Sequence, residues 1–166
     1  MALLGHKKTE ELQLQTIVYP WAKELLDQAI SNTWFPKEIP MADDLQDWKK
    51  MSEEEKQAVI MYIGFSNPCE FEVNESITNG MMPFITAPEV QMYFVRQMWE
   101  EVNHSMTFDY IINTLEIDRN KAFNLHTDIP EVHAKEQFLV ASIEKMRTGN
   151  IDIDSVEGIQ DFVRNI

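Results

Sequence analysis

From Pro88 to Asp118 the chain runs without a glycine or a second proline. A proline in the first turn (Ala87-Pro88-Glu89) presets the backbone for a helix and lacks only an N–H that would be orphaned there anyway. The run therefore predicts a helix of roughly 29 residues, long by globular standards. One stripe along it reads Val90, Phe94, Gln97, Glu101, His104, Phe108, Ile111. That spacing puts a carboxylate and an imidazole among apolar side chains on one face.

The rest of the chain is helical in character too. Glycine is scarce, β-branched residues do not alternate, and Leu, Met, Glu, Gln and Lys dominate, so the fold class is all-α. A first helix is expected over Tyr19–Ser31, with Pro20 in its first turn and Ala22, Leu25, Leu26 and Ile30 as its stripe. TWFPKEIPMADD breaks it with two prolines. Asp44 is placed to cap a short turn through Trp48, and Ser52 with Glu55 forms a capping box opening a long helix over Glu53–Asn79. Pro68 is expected to kink that helix, and Gly80 and Pro83 to end it. After Asp118 come a loop with a short helical piece, a helix from Pro130 to Arg147 stopping at Gly149, and a last helix starting at Ser155 with Glu157 nearby.

At 166 residues and 44% hydrophobic, the chain supports one domain over 1–166, with residues 1–18 as a flexible arm. Cys69 is the single cysteine, which excludes an intrachain disulfide and a Cys₂His₂ or Cys₄ zinc site and fits a reducing cytoplasmic setting. MALLGHKKTEEL turns charged before an apolar signal core could form, and no run is long enough to span a bilayer, so no membrane is expected. A net charge of −14 disfavours nucleic acid, whose phosphates are bound by Lys and Arg. Acidic runs such as Glu53-Glu54-Glu55 read as solvated surface.

Glu101 and His104, three apart, project side by side on a helix. Both are expected to be buried by the stripe they share with Phe94 and Phe108. A buried ionised carboxylate costs several kcal/mol unless it is paired or bound to a cation. Glu-x-x-His is the spacing used by di-iron and di-manganese carboxylate bundles, although a core histidine paired with Glu has the same spacing. Glu70, after Pro68-Cys69 in an apolar setting, is a second candidate inward carboxylate. Glu70, Glu72 and Glu75 could equally form an exposed acidic edge.

From about Tyr19 to its last residue the chain resembles the small, radical-generating subunit of class I ribonucleotide reductase. TWFPKEI resembles that family's F-W-x-P-E-E-[VI], DLQDWKKMSEEEKQAVIMYIGF its D-x-x-x-W-x-x-L-x-x-x-E stretch, and EFEVNESI its D-x-x-V-N-E-N. TAPEVQMY resembles I-P-E-[LA], and EEVNHSMTFDYIINTL resembles E-x-x-H-S-x-x-Y. The resemblance implies a ferritin-like helical bundle with Glu70 as first terminal ligand, Glu101 as bridging glutamate and His104 as first histidine ligand. It places Trp34 on the family's electron-relay tryptophan, though Trp34 reads equally well as a core aromatic. Phe108 falls on the radical tyrosine and has no phenolic hydrogen to lose. Glu70 and Phe108 together match the Ic subclass, which implies a manganese/iron pair, with di-iron the alternative and O₂ as oxidant. Tyr110 is about 200° from Phe108 around the helix and is no substitute.

Complete family members add a third glutamate and a second Glu-x-x-His, whereas this sequence stops at SVEGIQDFVRNI. Glu131 and His133 are two apart, hence on different faces, and His6 and His126 have no ligand spacing. The expected protein is an incomplete, half bundle with a wide apolar face to cover. A second polypeptide carrying the remaining ligands is the expected partner, in a dimeric assembly that works with the large catalytic subunit. The other readings are a homodimeric oxidase or iron-handling protein with a self-paired site, and a metal-free helical scaffold.

Overall fold

A computed structural model describes residues 3–5, 14, 16–148 and 151–164, apart from the side chains of His126 and Thr127. His6 and Gly149 lie outside the described residues, as does most of the segment 1–18 expected to be an arm. Leu3–Gly5, within that segment, is held in place. Leu4 forms an antiparallel bridge with Ile85, flanked by hydrogen bonds from the Thr86 amide to the Leu3 carbonyl (3.1 Å) and from the Gly5 amide to the Phe84 carbonyl (2.9 Å).

All regular elements among the described residues are helical. They are α1 (Pro20–Ser31), α2 (Ala42–Lys50), α3 (Glu53–Glu75), α4 (Pro88–Thr114), α5 (Arg119–Phe123), α6 (Leu125–Asp128), α7 (Pro130–Arg147) and α8 (Val156–Arg164). A 3₁₀ turn covers Pro36–Glu38 and a π-helical turn, Ser76–Met81, follows α3. No helix among the described residues is long and apolar enough to cross a membrane.

The capping box opens α3 as its sequence predicts. The Glu55 amide donates to Ser52 Oγ (3.2 Å), and the Ser52 amide donates to a Glu55 carboxylate oxygen (2.8 Å). At the other end the helix loosens into the π turn instead of staying α-helical to Asn79. Asp44 is not a cap: α2 begins at Ala42, and Asp43 and Asp44 lie in its first turn, where they complement the helix dipole. Helix α4 ends four residues before Asp118. Glu116 takes φ 58° and the Ile117 amide donates back to the Ile112 carbonyl (3.0 Å), a Schellman-type closure with Glu where Gly is usual. Asp118 instead caps α5, accepting from the amides of Asn120 (2.9 Å) and Lys121 (3.3 Å).

The chain groups into two compact units, Met1–Thr33 with Val73–Glu100 and Leu139–Ile166, and Trp34–Glu72 with Glu101–Phe138. In the first, Ile77, Met81, Ile85, Val90, Met146 and Phe162 are core residues, and Phe84 meets Phe162 edge-on at 6.2 Å. In the second, Ile60 and Ile63 of α3 pack with Phe108 and Ile112 of α4 and with Ala122 of α5. Gly64 permits this approach, because a Cβ there would lie 2.5 Å from the Ala122 carbonyl oxygen and 2.7 Å from Leu125 Cβ. The second unit thus fixes α3 against α4 beside the residues that carry the chemistry.

Candidate metal centre

Within the second unit α3 contributes Glu70, and one turn of α4 contributes Glu101 and His104. His104 Nδ1 lies 3.0 Å from a carboxylate oxygen of Glu70 and 3.3 Å from one of Glu101. One ligand atom from each of the three lies within 4.8 Å of the others. The side chains of Glu70 and Glu101 are 15% and 12% exposed, and that of His104 is 42% exposed. The expectation of burial therefore holds for the carboxylate of the pair and fails for the imidazole, which borders solvent. Of the acidic-edge residues, Glu75 is exposed and accepts from Asn79 (2.6 Å), while Glu70 turns inward.

The electrostatics follow from the crowding. Burial first, and then the Glu101 carboxyl, push the Glu70 carboxyl up to about 7 against the opposing effect of His104. Burial works to lower the His104 pKa, but the hydrogen bonds and charges of Glu70 and Glu101 outweigh it and leave it raised. The cluster therefore retains protons toward neutral pH. A divalent cation would replace them.

The helix is anchored just ahead of Glu70. Cys69 Sγ donates to the Phe65 carbonyl (3.1 Å) and receives Lys135 Nζ of α7 at 2.5 Å, while the same ammonium lies 4.2 Å from the centre of the Phe65 ring. Phe108, one turn after His104, is 8% exposed and meets Tyr62 edge-on at 6.3 Å. It is a core aromatic, a burial that contributes about 2 kcal/mol. Trp34 is half-buried, and its carbonyl accepts from Asn103 Nδ2 (3.1 Å). The Tyr110 hydroxyl donates to the Ile39 carbonyl (3.0 Å). Glu131 and His133 are both exposed, and His133 Nδ1 lies 3.4 Å from Glu136.

The sequence gives no sign that Asn103 and Glu89 are buried. Asn103 is 1% exposed, and Glu89, in the first unit, is fully buried. Glu89 accepts from the amides of Val18 and Tyr19 at 2.7 Å each. Although burial pushes its pKa up, these amides and its own hold it below the usual carboxylate range. The partners of both residues are main-chain atoms about seventy positions away, for which spacing gives no signal.

Residues 11–164 match the family described as ribonucleotide reductase, small chain. The ribonucleoside-diphosphate reductase subunit beta of Chlamydia pneumoniae is 33% identical over 166 residues, 99% of this chain and 48% of that protein. The subunit of the same name from Treponema pallidum is 27% identical over 82% of this chain and 39% of its own length. The ribonucleotide reductase R2 subunit from Clostridium botulinum superposes with a TM-score of 0.79 at 23% identity, covering 98% of this chain and 50% of that one. The fold is thus all-α and of the ferritin-like type. This chain spans 39% to 50% of the length of these relatives. It belongs to the small-chain family of ribonucleotide reductase.

Proposed function

We propose that this chain supplies one half of a dinuclear carboxylate site in a cytoplasmic class I ribonucleotide reductase, with Glu70 as terminal ligand, Glu101 as bridging ligand and His104 as the imidazole ligand. The observation that carries this reading is the convergence of three ligand atoms within 4.8 Å. The donor set fits the metals: carboxylate and imidazole suit both manganese and iron. The proton held by Glu70 up to about 7 marks a place where negative charge lacks compensation.

Bundles of this type hold two metals with four carboxylates and two histidines. The three groups here are half of that set. We assign the other half to a second polypeptide with a further glutamate and a Glu-x-x-His helix, in a dimeric assembly that docks on a large catalytic subunit. A metal pair held by these residues would supply, with O₂ as oxidant, the oxidising equivalent by which that subunit begins reducing ribonucleotides to deoxyribonucleotides. On loading, Glu70 gives up its proton and His104 offers the Nδ1 that already faces both carboxylates. Phe108 has no phenolic hydrogen, so the equivalent is not stored as a tyrosyl radical there, which favours a manganese/iron pair over di-iron. Trp34 serves as the electron relay.

Metal analysis of the purified full chain, alone and mixed with any co-purifying polypeptide, tests the reading. Two metals per site only after mixing supports it. A dinuclear complement in the lone homodimer supports the self-paired site instead. No metal in either sample supports the scaffold, with His104 merely paired to its glutamates.

A further inference from the structure

The segment Trp34–Ile39, which joins α1 to α2, is fastened to α4 at both ends. Asn103 Nδ2 donates to the carbonyl of Trp34 at 3.1 Å, and the Tyr110 hydroxyl donates to the carbonyl of Ile39 at 3.0 Å. Asn103 and Tyr110 are seven apart, two turns along one face of the helix. Asn103 sits between Glu101 and His104 in sequence, so the turn that presents two of the ligands also grips Trp34.

Of the two fastenings, Asn103 is the unusual one. It is 1% exposed, and its Oδ1 is buried without a hydrogen-bond partner. Burying such an acceptor unpaired carries a desolvation cost that an apolar side chain of similar volume would not incur. A fully buried carboxamide with half its capacity unmet is a poor choice for stability alone. What it gains is the N–H donated to Trp34.

We infer that Asn103 is the positioning residue of Trp34: its carboxamide fixes the main chain of the tryptophan on the helical turn that carries Glu101 and His104. The indole then stands at a set place relative to that turn. This rests on the proposed function only in taking Trp34 as the electron relay; the grip on Trp34 is a property of this chain by itself.

The test uses the full chain and isolates the emission of Trp34 as the difference between each protein and its Trp34→Phe counterpart. The parent is compared with Asn103→Leu, which keeps the size and loses the donor, and with Asn103→Ala, which removes the carboxamide altogether. The expected result is a red shift of Trp34 emission and stronger acrylamide quenching in both variants, with far-UV circular dichroism unchanged and manganese(II) uptake after mixing with the co-purifying polypeptide unchanged. A residue that served only to stabilise the fold would lower the unfolding midpoint and leave the emission of folded Trp34 where it was. Unshifted emission in either folded variant overturns the inference. If the parent mixed with its co-purifying polypeptide takes up no manganese while the emission shift is present, the ligand assignment fails and the positioning role stands.

Discussion

Glu89 and Glu70 lie in different compact units, and both turn a carboxylate inward, but the surroundings that receive them are opposite in kind. Glu89 accepts two main-chain N–H groups at 2.7 Å and keeps its charge, with its pKa held down. Glu70 meets an imidazole and another carboxylate, and its pKa rises to about 7. Peptide dipoles stabilise the first charge, and the protein offers the second no such fixed donors. Inward orientation alone therefore does not mark a metal ligand. A carboxylate left facing another one is a candidate for that role.

The largest expected effect separates ligand from bystander. Glu101→Ala should abolish metal uptake, while Glu131→Ala, exposed on α7, should leave it unchanged, as read by elemental analysis after loading and desalting. Equal loss from both would mean that the wrong face has been assigned. Next, Glu89→Ala should destabilise the protein by about 3 kcal/mol in urea unfolding, because the amides of Val18 and Tyr19 lose a buried, charged acceptor. Glu70→Gln should do the reverse in metal-free protein, stabilising it by on the order of 1 kcal/mol near neutral pH. If the two substitutions changed stability in the same direction, the contrast drawn here would be false.

The same contrast has a pH signature. The Glu70 pKa is raised from 4.5 to about 7 in the folded state, so folded protein binds more protons than unfolded protein between those values, and metal-free stability falls as pH rises through that window. The raised pKa of His104 acts in the same direction: its contribution is full below 6.5 and is lost as pH rises through the folded value. The lowered pKa of Glu89 works the other way, with stability present above 4.5 and lost as pH falls through the folded value. Subtracting the unfolding free energy of Glu70→Gln from that of the parent across pH 4–8 should isolate the first slope. A flat difference would contradict it. Metal uptake, which displaces these protons, should strengthen as pH rises toward neutrality.

The smallest effect lies where α4 ends. Glu116→Gly relieves a left-handed backbone conformation that glycine adopts without strain, and should stabilise the protein by about 0.5–1 kcal/mol in thermal unfolding.

These contrasts also show what the sequence could convey. The spacing of Glu101 and His104 is a local property of a helix, so their adjacency was readable, as was the Ser52–Glu55 capping box that opens α3. Glu70 could not be separated from Glu72 and Glu75 by spacing, because its inward turn depends on how α3 meets α4. The exposure of His104 was missed for the same reason: the stripe gives a direction, and only packing determines what covers it. Asn103 and Glu89 bind main-chain atoms 69 to 71 residues away, which no residue pattern encodes. The end of α4 was misplaced because Glu116, a residue that disfavours φ 58°, does what a glycine usually does.

The central claim is that Glu70, Glu101 and His104 face one another in order to hold a cation. Anomalous diffraction at the manganese and iron edges, from crystals of the assembled protein grown with both metals, tests it most directly. The account predicts anomalous peaks within coordination distance of all three side chains. A map with no peak there, and those side chains turned to solvent or to one another, would contradict it.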